Sequence, residues 1–215
     1  MLEKIVGMAG EANITVFSDE VFQPLIHNRQ VTTCPLVSLG YEHSVSSGSL
    51  SKVYGLPGVR VGWVVSTSKD LLRKILKARD YTTTTVSRLD DAVATFALSP
   101  SVLPNISKRA LESCRQGIEL IDAFVERNPR CTWSRPNGGA TAFVRICDEQ
   151  GHPVDDVKFC ATLAERAGLC VLPAGWCFRN DGTDDFKGYC RFPLGNVVAL
   201  RQGLPILETF LKRNE

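Results

Sequence analysis

Histidine is scarce in this 215-residue sequence, with three in all. The eight cysteines (Cys34, Cys114, Cys131, Cys147, Cys160, Cys170, Cys177 and Cys190) are scattered, and no two form a C-x-x-C. That spacing argues against a zinc centre. It fits reduced cysteines in a cytoplasmic protein, several of them in the core. No apolar run is long enough to span a bilayer. Met1-Leu2-Glu3-Lys4 lacks the basic-then-apolar plan of a secretory leader. Neither sign of charge dominates: 25 basic and 23 acidic side chains give a formal charge of +2, which points to neither nucleic acid nor a membrane surface as partner. Internal repeats and low-complexity segments are absent as well. What is present is ordinary for a soluble globular chain, with 44% hydrophobic and 22% charged residues, enough for one medium domain or two small ones.

Periodicity then divides the chain into elements. Residues 2–9 read as a helix end closed by Gly10, and residues 14–17 as a short buried strand. After a loop holding Pro24 and Pro35, residues 36–39 and 43–47 are weaker strand candidates, and 61–65 is a further apolar run broken by Gly62. Residues 70–79 have helical spacing, with Leu71, Leu72, Ile75 and Leu76 on one face. Residues 87–98 read as another helix. The clearest element spans 104–127, where Ile106, Ala110, Leu111, Cys114, Ile118, Ile121, Phe124 and Val125 recur at spacings mostly of three and four. Pro104 suits its first turn, and Pro129 with the polar run behind it ends it. Strand, helix, strand, strand and helix follow at 141–146, 154–167, 170–172, 188–192 and 197–212. The alternation predicts an α/β chain. A boundary near residue 100 divides it into 1–99 and 100–215, with the long helix joining the parts.

The chemistry concentrates in Ser49-Leu50-Ser51-Lys52-Val53-Tyr54-Gly55-Leu56-Pro57-Gly58-Val59-Arg60-Val61-Gly62-Trp63. Glycines let a backbone approach a ligand closely. Ser49, Ser51 and Arg60 are a donor set for phosphate, hydroxyls and a guanidinium together. Lys52 among them is the one amine able to form an imine, once neighbouring cations favour loss of its proton. Other readings of the same residues stand beside this one. The segment is rich in turn residues, as a plain surface loop would be. Ser49 and Lys52 also form a Ser-x-x-Lys pair, the nucleophile and base of some hydrolases. Ser66-Thr67-Ser68-Lys69 matches that pattern too, and the companion S-D-N and K-T-G motifs are missing. A nucleotide P-loop fits less well, because the lysine precedes Gly-Leu-Pro-Gly instead of following it.

Ser-Leu-Ser-Lys-x-Tyr-Gly-Leu-Pro-Gly-x-Arg-x-Gly-Trp resembles the lysine signature of the class I/II aminotransferases, fold-type I enzymes dependent on pyridoxal 5'-phosphate. The match runs nearly unbroken over fifteen positions. By that resemblance Lys52 is the Schiff-base lysine, Ser49 and Arg60 bind the cofactor phosphate, and Ser51 belongs to the motif. A second stretch, Ile14-Thr15-Val16-Phe17-Ser18-Asp19-Glu20-Val21-Phe22, is similar to the family's strand ending in Asp-Glu-x-Tyr. Asp19, 33 residues before Lys52, takes the place of the carboxylate that pairs with the protonated pyridine nitrogen and keeps the ring an electron sink. Phe22 departs from the pattern. A tyrosine there donates a hydrogen bond to the cofactor's phenolate oxygen, and phenylalanine keeps the ring but not the donor. A third stretch, Phe186-Lys187-Gly188-Tyr189-Cys190-Arg191-Phe192, resembles the small-domain strand whose arginine clamps the substrate α-carboxylate, which makes Arg191 the substrate residue. Val171-Leu172-Pro173-Ala174-Gly175-Trp176 and Pro136-Asn137-Gly138-Gly139 resemble turns around the substrate site.

The resemblance covers nearly the whole chain but only the second half of the family. Only eighteen residues precede Asp19, too few for the first half's phosphate loop, stacking aromatic and pyridoxal-contacting asparagine. It implies a partial fold-type I fold, a remnant of the large-domain sheet over 1–99 followed by a small α/β domain. It also implies an enzyme acting on an amino acid or keto acid by transamination, elimination, replacement or cyclisation. Uncovered strand edges and apolar faces would need a second copy in a homodimer, or a partner chain. The alternatives are a non-catalytic remnant that binds or scaffolds, and one piece of a split enzyme.

Overall fold

The computed structural model describes residues 1–28, 30–178 and 186–213. The chain forms two compact units, Met1–Ala110 and Leu111–Glu215.

The first unit opens with α1 (Leu2–Glu11). The helix runs through Gly10, where the sequence predicts its end. The turn is made instead at Asn13, whose φ of 52° is left-handed, and Ile14 N–H bonds back to the Ala9 carbonyl. Three strands follow: β1 (Val16–Asp19), β2 (Ser44–Ser49) and β3 (Gly62–Val65). They lie in the order β1-β2-β3, with β1 parallel and β3 antiparallel to β2. Parallel register sets Asp19 opposite Ser47, and antiparallel register sets Ser49 opposite Gly62.

Two expectations for this unit are corrected. The run at 14–17 is not a buried strand. Pairing begins at Val16, Ile14 is 58% and Phe17 62% exposed, and the two-residue period turns Phe17 to a face that the described residues of this unit leave open. Residues 36–39 are a short 3-10 helix and not a strand, started by Pro35 and stopped by Gly40 at φ 77°. Leu36 on that turn is wholly buried, so the apolar run fills the core without joining the sheet. Helices α2 (Lys69–Arg79) and α3 (Arg88–Ala97) complete the unit, close to where the periodicity places them. The Ser87 hydroxyl caps α3 by accepting from Asp90 N–H.

Helix α4 (Leu103–Arg127) crosses the boundary between the units. It ends where the Asn128 amide donates to the Phe124 carbonyl, a satisfied C-terminal group just ahead of Pro129. The second unit is a four-stranded antiparallel sheet of β4 (Cys131–Trp133), β5 (Thr141–Ile146), β6 (Leu172–Pro173) and β7 (Tyr189–Pro193), ordered β4-β5-β7-β6. Strand β4 hides in the polar run after Pro129. The strand expected at 170–172 pairs only from Leu172 onward. Helices α5 (Asp156–Ala167) and α6 (Val197–Arg213) accompany the sheet. The Asp155 carboxylate caps the start of α5, and Gly168, left-handed at φ 67°, ends it. Alternation in β5 and β7 buries Ala142, Val144, Ile146, Cys190 and Phe192 among Ile118, Ile121, Phe124, Leu163 and Leu207. Thr141, Phe143, Arg145, Tyr189 and Arg191 are left on the other face of the sheet.

Candidate active site

The lysine segment is shaped by two anchors. Leu50 is fully buried and Val53 nearly so, while Lys52 between them is exposed. Burying both flanking side chains leaves the lysine no direction but outward. The loop is closed at its base by Leu50 N–H to the Val61 carbonyl and Leu56 N–H to the Leu50 carbonyl. It turns at Gly55, which sits at φ 66° and bonds to the Lys52 carbonyl. Among the described residues no carboxylate lies within ion-pair distance of Lys52.

The three candidate phosphate donors meet. Ser49 Oγ lies 3.0 Å from Ser51 Oγ and accepts from Ser51 N–H at 3.1 Å. Arg60 donates to Ser51 Oγ at 3.3 Å and to the Pro57 carbonyl at 2.9 Å. Among the described residues its guanidinium has only these neutral partners, and its backbone is left-handed at φ 53°. Two hydroxyls and an uncompensated guanidinium are a fitting site for a phosphate dianion. The hydrolase reading finds no such arrangement: the Ser49 hydroxyl engages Ser51 and the Val61 carbonyl, not Lys52, and the Ser66 hydroxyl donates to the Ser44 carbonyl within the sheet.

Asp19 ends β1 on the side where β2 runs into the lysine loop, the carboxyl end of a parallel pair, where α/β sheets bind ligands. Its Oδ1 accepts from the Ser47 hydroxyl and from Val21 N–H, both at 3.3 Å. Phe22 lies in the turn beyond it and is 37% exposed. Trp63 crosses Gly48, where any side chain would collide with the indole, and its ring lies 6.3 Å from that of Tyr54. Burial raises the Tyr54 phenol above its ordinary pKa.

Arg191 belongs to the second unit, on the open face of β7, directly opposite Phe143 on β5 and Leu172 on β6. Gly139, in one of the family-like turns, is left-handed at φ 88°. Gly175, in the other, donates to Asp156.

Sequence reasoning overlooked two carboxylates. Glu20 Oε1 accepts from Leu36 N–H at 2.7 Å and from the Ser46 hydroxyl at 2.8 Å, so it fastens the Leu36 turn to β2. Asp156, wholly buried, accepts from Gly175 N–H at 2.7 Å and Gly188 N–H at 3.2 Å, tying the turn that follows Leu172 to the start of the strand that carries Arg191. Each is the second of an acidic pair (Asp19-Glu20, Asp155-Asp156) whose first member has the visible role. That doubling is the only signal the sequence offers.

With this geometry in view, comparison with known proteins identifies the class. The family model for aminotransferase class I and II matches residues 1–179, and the chain belongs to that family. It is 30% identical over 179 residues to capreomycidine synthase of Streptomyces vinaceus, covering 79% of this chain and 42% of that protein. It is 26% identical over 214 residues to an aspartate aminotransferase of Thermotoga maritima, covering 98% and 51%. Among solved structures, a PLP-dependent aminotransferase from Streptococcus suis superposes with a TM-score of 0.86 at 27% identity, over 100% of this chain and 53% of that one. LysN, the α-aminoadipate aminotransferase of Thermus thermophilus, superposes at 0.81 with 20% identity over 98% and 53%, a likeness of fold. The fold is thus part of the fold-type I aminotransferase architecture, and the chain spans about half the length of the relatives it matches. Among the described residues, no helix is long and apolar enough to cross a membrane.

Proposed function

We propose that this chain provides the lysine-bearing part of a pyridoxal 5'-phosphate site for amino-acid chemistry of the aminotransferase type. When bound, the cofactor supplies an electron sink for breaking a bond at the α-carbon of an amino acid. Ser49, Ser51 and Arg60 would hold its phosphate, and Lys52 would bond it covalently. Asp19, oriented by the Ser47 hydroxyl, would hold a proton on its ring nitrogen. Phe22 would offer an apolar edge and no hydrogen bond. Arg191 would take the substrate carboxylate. Transamination, elimination, replacement and cyclisation all use this set of residues. The observation that carries the reading is the hydrogen-bonded Ser49–Ser51–Arg60 cluster on the same closed loop as the exposed Lys52, which no carboxylate among the described residues pairs. Mixing purified protein with pyridoxal phosphate should give a visible absorption band that Lys52→Ala lacks. No band with either protein would refute the assignment for the isolated chain, and a band unaffected by the substitution would refute Lys52.

The exposure of Phe17, Val65, Leu89 and Phe96 (62%, 46%, 80% and 67%) supports a companion reading, that a second copy or a partner chain covers the first unit. A groove of about 890 Å³ lined by Arg60, Trp63, Leu72, Ile75 and Val86 lies in the same unit.

A further inference from the structure

The open face of the second unit's sheet is unusually aromatic. Phe143 stacks on Tyr189 with centroids 4.7 Å apart and planes 19° apart. Phe178 meets Phe143 edge-on at 5.4 Å, and Phe186 lies 6.0 Å from Phe143, 5.7 Å from Phe178 and 6.2 Å from Tyr189. These four rings form one cluster, yet Phe178 remains 48% and Phe186 39% exposed. Rings already in a cluster and still half open to water gain by covering a further ring. Beside them, Arg191 projects from β7 between Phe143 and Leu172, which pair with it from either side. Among the described residues nothing accepts a hydrogen bond from its guanidinium or pairs with its charge. A half-buried cation without an anion among the described residues, opposite one ring of a partly exposed cluster, is complementary to a small molecule with a carboxylate at one end and an aromatic group at the other.

We infer that this face selects an aromatic α-amino or α-keto acid, with the carboxylate on Arg191 and the side chain against Phe143, Phe178 and Phe186. This rests on the reading of Arg191 as the carboxylate residue, and extends it to the substrate class. A dicarboxylic acid is the competing ligand, because Arg145 lies on the same face. Its guanidinium sits 5.9 Å over the Tyr189 ring, and its enclosed Nε has no hydrogen-bond partner. The rings favour the aromatic acid: Phe143, the central ring of the cluster, is the strand partner of Arg191, whereas the Arg145 guanidinium is already engaged with Tyr189.

The test is calorimetric titration of the full chain, with pyridoxal phosphate present, against phenylpyruvate, pyruvate and oxaloacetate. Phenylpyruvate should bind about tenfold more tightly than pyruvate, the gain expected from packing one ring among others. Phe143→Leu and the surface variant Phe186→Ala should each shrink that ratio by about threefold and leave pyruvate unchanged. Arg191→Gln should weaken both acids. The circular dichroism spectrum of each variant shows that it is folded. Equal affinity for phenylpyruvate and pyruvate, or tighter binding of oxaloacetate, overturns the aromatic assignment. In that case a continued dependence of pyruvate binding on Arg191 leaves the carboxylate reading standing. Binding indifferent to Arg191, or no binding of any acid, overturns both. The Lys52-dependent absorption band is read separately, so failure of the cofactor assignment is distinguishable from all of these.

Discussion

Arg60 occupies a backbone region that costs a side-chain-bearing residue about 1–2 kcal/mol, and it does so on the loop that carries Lys52. Strain of this kind persists where a ligand contact needs the side chain. The consequence separates stability from binding. Arg60→Gly should be more stable than Arg60→Ala by about 1 kcal/mol, because only glycine is at ease at that φ. Both variants should bind pyridoxal phosphate about ten- to a hundredfold more weakly, the loss of a charge-assisted hydrogen bond, and should bind unphosphorylated pyridoxal as the parent does. Denaturant melts and spectroscopic titrations with the two aldehydes check both halves. At this scale the sequence was informative where residues adjoin. Ser49, Ser51 and Arg60 lie within one segment, and the structure joins them. It was silent on Ser47 and Glu20, whose roles come from strand register and from a turn that folds back across β2. No local pattern encodes such contacts.

Among the elements, helices were legible and short strands were not. The face of 104–127 repeats often enough to exceed noise, and α4 runs almost over that span. Strand β4 has three residues and β6 two, too few for any period to declare itself. The apolar run at 36–39 shows why pattern alone misleads: Pro35 and Gly40 set its conformation, while burial of Leu36 explains its composition. Two substitutions test how elements are joined. Asp156→Ala leaves Gly175 and Gly188 N–H without that acceptor, and should destabilise the protein by about 3 kcal/mol. Asp156→Asn retains one acceptor oxygen and should lose less. Gly117→Ala replaces the glycine at the middle of α4 that faces the Leu194 carbonyl, where a Cβ would overlap backbone. Helix propensity alone predicts a gain of about 1 kcal/mol from alanine. The overlap should reverse that sign and give a loss of about 1–3 kcal/mol in a denaturant melt.

For the molecule as a whole, apolar surface is divided unequally between the two units. Fully buried large side chains gather in the second, with Phe124, Ile118, Ile121, Ile146, Leu163, Leu194 and Leu207, against Leu36, Leu50 and Val53 in the first. Most of the exposed large apolar side chains described lie in the first unit, from Met8 and Phe17 through Trp63 to Leu89 and Phe96. Local stability follows buried apolar contact, so backbone amides of β5 and β7 should exchange with solvent far more slowly than those of β3 and α3. If a second copy covers the first unit, protection there must rise with protein concentration, because association stabilises by mass action. Protection in β5 and β7 should not change. Hydrogen exchange at two concentrations about a hundredfold apart, with mass measured in solution at each, separates the cases; for a homodimer whose dissociation constant lies well below that range, free monomer varies as the square root of total protein, so the concentration-dependent gain is about 1.4 kcal/mol per hundredfold. Protection in β3 and α3 that rises with the dimer fraction identifies a second copy as the cover. Constant low protection in a species that remains monomeric leaves the uncovered faces to a different chain.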